Sequence, residues 1–189
     1  MANTYFRFKQ FTIYQDRCAM KLSTDAVILG ALASHHAPHK ILDIGTGTGA
    51  IALMAAQKYP EAAIHAVEID HEAACQAKQN FRASKWKENL FIFRDTFQRF
   101  SQSQLGKYDL IISNPPYFPN HIKSTDAKRN MAIHSDDLPF DDLLMGASTL
   151  LSNEGRFFVI LPPRQMQEFK SIADKKSLYL QAVTTVYDN

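Results

Sequence analysis

Residues 5–15, Tyr-Phe-Arg-Phe-Lys-Gln-Phe-Thr-Ile-Tyr-Gln, alternate apolar and polar side chains with a slip at Lys9-Gln10. Alternation turns one face of a strand inward, so the stretch predicts a short antiparallel hairpin at the edge of the core. The rhythm then changes over Met20–Ala33. Ser23 or Thr24 supplies an N-cap and Asp25 suits the first turn, which predicts a helix over about 24–34. From residue 40 short aliphatic runs alternate with amphipathic stretches. Strands are expected near 40–44, 63–68, 89–94, 108–113 and 156–161, with a sixth near 178–186, and helices over about 48–58, 71–84, 139–151 and 164–175. Strand and helix in strict turn imply an α/β fold, a mostly parallel sheet with helices on both faces and right-handed crossovers.

The chain has 189 residues, of which 46% are hydrophobic and 21% charged, the balance of one ordinary globular domain. That domain is expected to comprise an N-terminal hairpin and helix over 1–35 and a Rossmann-like core over 40–189. Apolar runs all fall short of the roughly 18 residues of a membrane span, and the start Met-Ala-Asn-Thr is polar, so no membrane partner and a cytoplasmic location are expected. Cys18 and Cys75 make neither a CxxC pair nor a framework and read as reduced structural thiols. The cluster His35-His36-Ala-Pro-His39 has no acidic or cysteine neighbours and precedes a strand. It reads as a solvated connector, and no metal is assigned. A net charge of +2 is too small to announce a nucleic-acid partner, so local clustering must carry that argument. No oligomeric state follows from the pattern.

Chemistry concentrates at the ends of the parallel strands. Ile41-Leu-Asp-Ile-Gly-Thr-Gly-Thr-Gly49 sets Gly45, Gly47 and Gly49 between the first parallel strand and its helix, where backbone approaches a ligand closely. Gly45-x-Gly47-x-x-Ala50 also satisfies the dinucleotide fingerprint, and Glu68, closing Ala63-Ile-His-Ala-Val-Glu68, suits ribose hydroxyls in either case. Three features together separate the readings: Asp43, Asp95 and the end of the fourth strand. A carboxylate at Asp43 repels pyrophosphate and can pair with an ammonium group on a ligand. Asp95, closing Phe91-Ile-Phe-Arg-Asp95, suits an adenine amino group, or caps the short segment 96–103. The fourth strand, Tyr108-Asp-Leu-Ile-Ile112, runs into Ser113-Asn114-Pro115-Pro116-Tyr117. A residue before proline is held extended, and prolines have φ fixed near −65°. The Asn114 side chain and the Pro115 carbonyl then form a stiff pair of acceptors for a planar –NH2 group, with Tyr117 as a stacking face. The alternative is a turn in which the prolines merely end the sheet.

Taken together, these residues resemble the class I S-adenosylmethionine-dependent methyltransferases, over about residues 41–162. Asp43-Ile-Gly-Thr-Gly-Thr-Gly49 resembles their first motif, Glu68 the acidic ribose position, Asp95 the adenine-contacting position, and Asn114-Pro-Pro-Tyr117 the amino-methylation motif. The front of the chain, Phe8-Lys-Gln-Phe-Thr-Ile with Cys18–Leu32, is similar to the opening of the bacterial tRNA1(Val) adenine-N6 methyltransferases, which act on the adenine 3′ of the anticodon. Ala127–His134 with Leu138-Pro-Phe-Asp-Asp-Leu143 also resembles a segment of that family. The resemblance implies S-adenosylmethionine as cofactor and tRNA as substrate. It implies cofactor contacts from Lys21, Thr24, Asp25, Asp43, Gly45, Thr46, Gly47, Gly49, Glu68, Ile69, Asp95 and Asn114, and catalysis by Asn114, Pro115, Pro116 and Tyr117. Tyr117 and Phe118 would hold the base. Lys123, Lys128, Arg129 and His134, with His121 in the same long connection, would meet phosphates alongside Arg7, Lys9, Arg17 and Lys21; the plainer reading of that connection is a solvated loop. Lys85, Lys87 and Trp86 would add to an RNA surface, or, in the plainer reading, form a helix end with a packed indole. In this fold a seventh strand runs antiparallel between the fifth and sixth, and the sequence printed here stops at Val186-Tyr-Asp-Asn189, so strand 7 is expected to be missing. Rival functions are glutamine N5 methylation of a release factor, which presents the same –NH2 to Asn-Pro-Pro-Tyr, a noncatalytic RNA-binding module, and a nicotinamide oxidoreductase, the last disfavoured by the lack of a hydride-handling residue.

Overall fold

A computed structural model describes residues 3–103, 106–115 and 138–187. The N-terminal hairpin pairs β1 (Tyr5–Arg7) with β2 (Thr12–Tyr14) antiparallel. Helix α1 (Thr24–Leu32) is capped by Ser23, whose hydroxyl oxygen accepts the Ala26 amide at 3.1 Å. Then come β3 (Lys40–Ile44), α2 (Ala50–Lys58), β4 (Ala63–Glu68), α3 (His71–Arg82), β5 (Leu90–Arg94), α4 (Phe97–Ser103), β6 (Tyr108–Ser113), α5 (Phe140–Leu150), β7 (Leu151–Val159) and α6 (Pro163–Lys175). The main sheet has five strands in the order β5-β4-β3-β6-β7, parallel throughout.

Two apolar layers enclose the sheet, as expected when both faces of parallel strands are covered. One gathers Ile13, Leu29, Ile41, Leu53, Phe81 and Trp86 from the hairpin and α1–α3 side. The other gathers Leu42, Ile44, Phe100, Leu143, Leu150 and Phe169 from the α4–α6 side. Trp86 is buried and meets Phe11 edge to face at 6.0 Å, which agrees with a packed indole.

Two expectations change. The stretch near 178–186 forms no strand, and Tyr179, Val183 and Tyr187 are exposed. A β-strand is a pairing rather than a local preference, and these residues have no ladder partner among the described residues. The fifth parallel strand begins at Leu151 rather than 156, because Tyr108 pairs with Leu151 and Leu110 already with Arg156, leaving an irregularity between them. A side chain at Gly155 would meet Leu151 and the Tyr108 carbonyl within 3 Å, so glycine permits this close passage.

The register decides what the carboxyl edge presents. Val67 faces both Phe93 and Ile44, Ile44 faces Ser113, and Ser113 faces Val159. The next row along the chain is therefore Arg94, Glu68, Gly45 and Asn114. Adjacent strands lie about 4.8 Å apart, so the glycine turn and Asn114 emerge side by side.

Candidate active site

The turn after β3 is left-handed at three positions, with φ of 70° at Gly45, 55° at Gly47 and 82° at Gly49. The glycines do different jobs. Among the described residues a Cβ at Gly47 would have nothing within 4 Å, which leaves this backbone open to a ligand, whereas a Cβ at Gly49 would stand 2.5 Å from the Phe81 ring. Gly49 thus lets α3 pack against the turn.

Two carboxylates brace that turn from beneath. Asp43, 1% exposed, accepts the Thr46 hydroxyl at 2.6 Å and the Ala52 amide at 3.0 Å through Oδ2. Its Oδ1 is buried without a hydrogen-bond partner among the described residues. Burial pushes the Asp43 carboxyl up to about 7, and the charge of Glu68 adds to the shift. Glu68 accepts the Gly47 amide at 2.7 Å through Oε2 and the Asp70 amide at 2.9 Å through Oε1, and burial raises its carboxyl too. Asp95 accepts the Thr96 amide at 2.9 Å and faces the Arg99 guanidinium at 3.5 Å. The Thr96 hydroxyl accepts the Arg99 amide, so Thr96 caps α4 and Asp95 holds the residue before it.

Thr24 and Asp25 are exposed at the start of α1. The Lys58 ammonium donates to the carbonyls of Ala31 and Ala33, which joins the C-terminal ends of α1 and α2. Helix α2 starts at the glycine turn, and α1 packs beside it with Gly30 against Met54. Lys21 donates to the Asn3 carbonyl at 3.1 Å, and Ile69 is exposed just past Glu68. Asn114 is half-buried and Pro115 buried. The remaining expected contacts, Pro116, Tyr117, Phe118, His121, Lys123, Lys128, Arg129 and His134, lie outside the described residues, as does Ala127–His134.

Sequence reasoning missed the residues that tie the N-terminal segment to this edge. Asn80, 1% exposed in α3, accepts the Tyr14 amide at 3.0 Å and donates to the Tyr14 carbonyl at 2.9 Å and the Thr48 carbonyl at 2.8 Å. Gln76 accepts the Arg17 amide, and Gln15 accepts the Leu22 amide while donating to Asn3. The signal was a set of amides that bury completely in spite of their polarity, visible only once the hairpin is folded over α3. Of the histidine connector, His36 and His39 are exposed, but His35 is pinned by bonds between its backbone and the Tyr59 hydroxyl. Cys18 is buried and its thiol is pushed up to about 11 by burial, and Cys75 is half-buried.

The methyltransferase small domain model matches residues 23–170, most of the chain and the whole of the edge just described. The chain belongs to that family. The tRNA1(Val) (adenine(37)-N6)-methyltransferase of Bacteroides thetaiotaomicron is 48% identical over 180 residues, which covers 95% of this chain and 75% of the relative. Among solved structures, an S-adenosylmethionine-dependent methyltransferase from Agrobacterium tumefaciens aligns with a TM-score of 0.64 at 15% identity, over 94% of this chain and 59% of its own. TrmN from Thermus thermophilus aligns at 0.57 with 24% identity, over 80% of this chain and 40% of its own. The fold is thus the Rossmann-like fold of class I methyltransferases, and the family's methyl donor is S-adenosylmethionine. The chain's own residues fit that donor: among the described residues the glycine turn leaves open space at Gly45 and Gly47, and the buried Asp43 Oδ1 lacks a partner where a cationic ligand is expected. Among the described residues no helix is long and apolar enough to cross a membrane.

Proposed function

We propose that this chain methylates N6 of an adenine in tRNA, at the position 3′ of the anticodon of tRNA1(Val). The observation that carries the reading is the register of β3 against β6, which sets Gly45 beside Asn114 on one edge of the sheet. The activity named for relatives up to 48% identical supplies the acceptor.

In this reading Gly45, Thr46, Gly47 and Gly49 hold the donor along their backbone, with Glu68 at its ribose, Asp95 at its adenine and Asp43 beneath its cationic end. Thr24, Asp25 and Ile69 border the same pocket, and Lys21 stands at its outer margin. S-adenosylmethionine supplies an electrophilic methyl group when bound. Asn114 and the Pro115 carbonyl accept the two hydrogens of the target amine. That grip draws the nitrogen lone pair out of the ring and aims it, so positioning provides most of the rate. Once the nitrogen is methylated, its surplus proton passes to water. A strong base is not needed before attack.

The test is incubation of the protein and labelled S-adenosylmethionine with total tRNA, and separately with a release factor. Digestion of the tRNA to nucleosides should yield labelled N6-methyladenosine. Label appearing on a release-factor glutamine instead, or nowhere, would replace this reading.

A further inference from the structure

The N-terminal hairpin turns a face outward that the fold does not use. Tyr5 stands opposite Tyr14 and Arg7 opposite Thr12, while Ile13, opposite Phe6, is fully buried. Because side chains alternate along a strand, Tyr5, Arg7, Thr12 and Tyr14 share the face away from Ile13. Tyr5 is 50% exposed and Tyr14 40%, and their rings lie 6.4 Å apart, tilted by 49°. A shallow cleft is lined by Phe11, Thr12, Tyr14, Asn80, Ala83 and Ser84.

Charge on this segment is mainly positive. Arg7, Lys9, Arg17 and Lys21 are all exposed, and Asp16 is the one acidic side chain among residues 3–24. Lys85 adds a further cation, donating to Gln10 at 2.8 Å with its ammonium over the Trp86 ring. The face is also anchored to the chemistry, since Asn80 joins the backbone of Tyr14 to Thr48 in the glycine turn.

We propose that this hairpin face is a stacking platform for unpaired nucleotides flanking the target base. The proposal rests on the tRNA reading above and adds the surface that grips the RNA. Two exposed tyrosines offer flat faces of the size of a base at a small cost in side-chain entropy, and surrounding arginine and lysine side chains neutralise the phosphates between. The cations match RNA's charge, which a second copy of this basic face would not. Stacking requires bases that are not already paired, so the platform distinguishes loops from duplex.

Fluorescence anisotropy tests this with two probes, an RNA hairpin carrying an unpaired loop and a fully paired RNA duplex of equal length. Tyr5→Ala and Tyr14→Ala are each expected to weaken loop binding about tenfold, since a stacked base contributes on the order of 1–3 kcal/mol. Duplex binding should change little. Tyr14→Phe should bind like the wild type and Tyr14→Leu like the alanine variant, and thermal melts report whether each variant is folded. Several results would overturn the platform: wild-type affinity in all variants, equal losses on loop and duplex, or a loss in Tyr14→Phe matching that in Tyr14→Ala. A wild-type dimer in light scattering that the tyrosine variants dissolve would also overturn it, assigning the face to self-association. A wild type that methylates tRNA while its tyrosine variants bind loops normally sinks this inference alone. A wild type with no affinity for either RNA sinks the tRNA reading with it.

Discussion

The Ser113 hydroxyl donates to the Ile44 carbonyl at 3.1 Å, across the same strand pair in which these two residues face each other. Ile44 is the last residue before the glycine turn and Ser113 the last before Asn114, so this bond fastens the two halves of the site at their point of departure. Both residues are buried. Ser113→Ala should lower the unfolding free energy by about 1 kcal/mol, the net worth of a buried hydrogen bond. Urea denaturation measures it, and an unchanged midpoint would mean the strands hold their register without the hydroxyl.

Gly47 and Gly49 should part company on substitution. Gly49→Ala drives a Cβ toward the Phe81 ring at 2.5 Å in addition to its left-handed backbone, so it should destabilise the fold by more than about 2 kcal/mol. Gly47→Ala meets open space among the described residues and carries only the backbone strain of about 1–2 kcal/mol, but it intrudes on the side of the turn proposed to face the donor. Thermal melts and calorimetry with S-adenosylmethionine separate the two. The larger loss of stability is expected for Gly49→Ala and the larger loss of affinity, relative to stability, for Gly47→Ala.

Asp43 gives a pH signature. Its carboxyl is raised from 3.8 to about 7 in the folded chain, chiefly by burial. The folded state keeps a proton that the unfolded state releases, so this group's effect on stability becomes less favourable as pH rises from about 4 to about 7. Glu68 is shifted in the same direction. A cationic donor prefers the ionised carboxylate, so its affinity should fall about tenfold for each pH unit below 7, as the competent fraction falls. Calorimetry between pH 5 and 8 on the wild type and Asp43→Asn checks this; the wild-type slope should be steep and the variant's shallow.

Asn80 carries the link between hairpin and turn. Asn80→Ala strands the Tyr14 amide, the Tyr14 carbonyl and the Thr48 carbonyl, and should cost about 2 kcal/mol or more. Hydrogen exchange offers a local readout. The Tyr14 amide should lose protection well before the amides of β3 and β4, and uniform loss across the sheet would point to a general rather than a local role.

The strand ends and the glycine turn were legible because each depends on local signals, aliphatic runs closed by Asp43, Glu68, Asp95 and Asn114. The parallel direction of the strands followed from the alternation of strand and helix, while their order in the sheet did not. What escaped was whatever depends on partners distant in sequence. Tyr179–Val186 has the residues of a strand but no ladder to join among the described residues. Asn80 sits among polar residues of an amphipathic helix, and its burial is created by the hairpin 66 positions away. Asp43 and Glu68 were read as ligand groups; in the structure Asp43 holds the Thr46 hydroxyl of the turn and the Ala52 amide of α2, and Glu68 holds the Gly47 amide. The early start of β7 at Leu151 reflects an irregular pairing that period-two reasoning does not capture.

The central claim concerns Asn114, and comparing wild type with Asn114→Ala tests it in one experiment: S-adenosylmethionine affinity by calorimetry, and N6-methyladenosine formed in tRNA by nucleoside digestion. Affinity for the donor should stay within a few-fold, while methyl transfer falls by about a hundredfold or more, the scale for removing one group that positions the reacting centre. Normal turnover in the variant, or tRNA methylated at a nucleoside other than adenosine, would contradict the account.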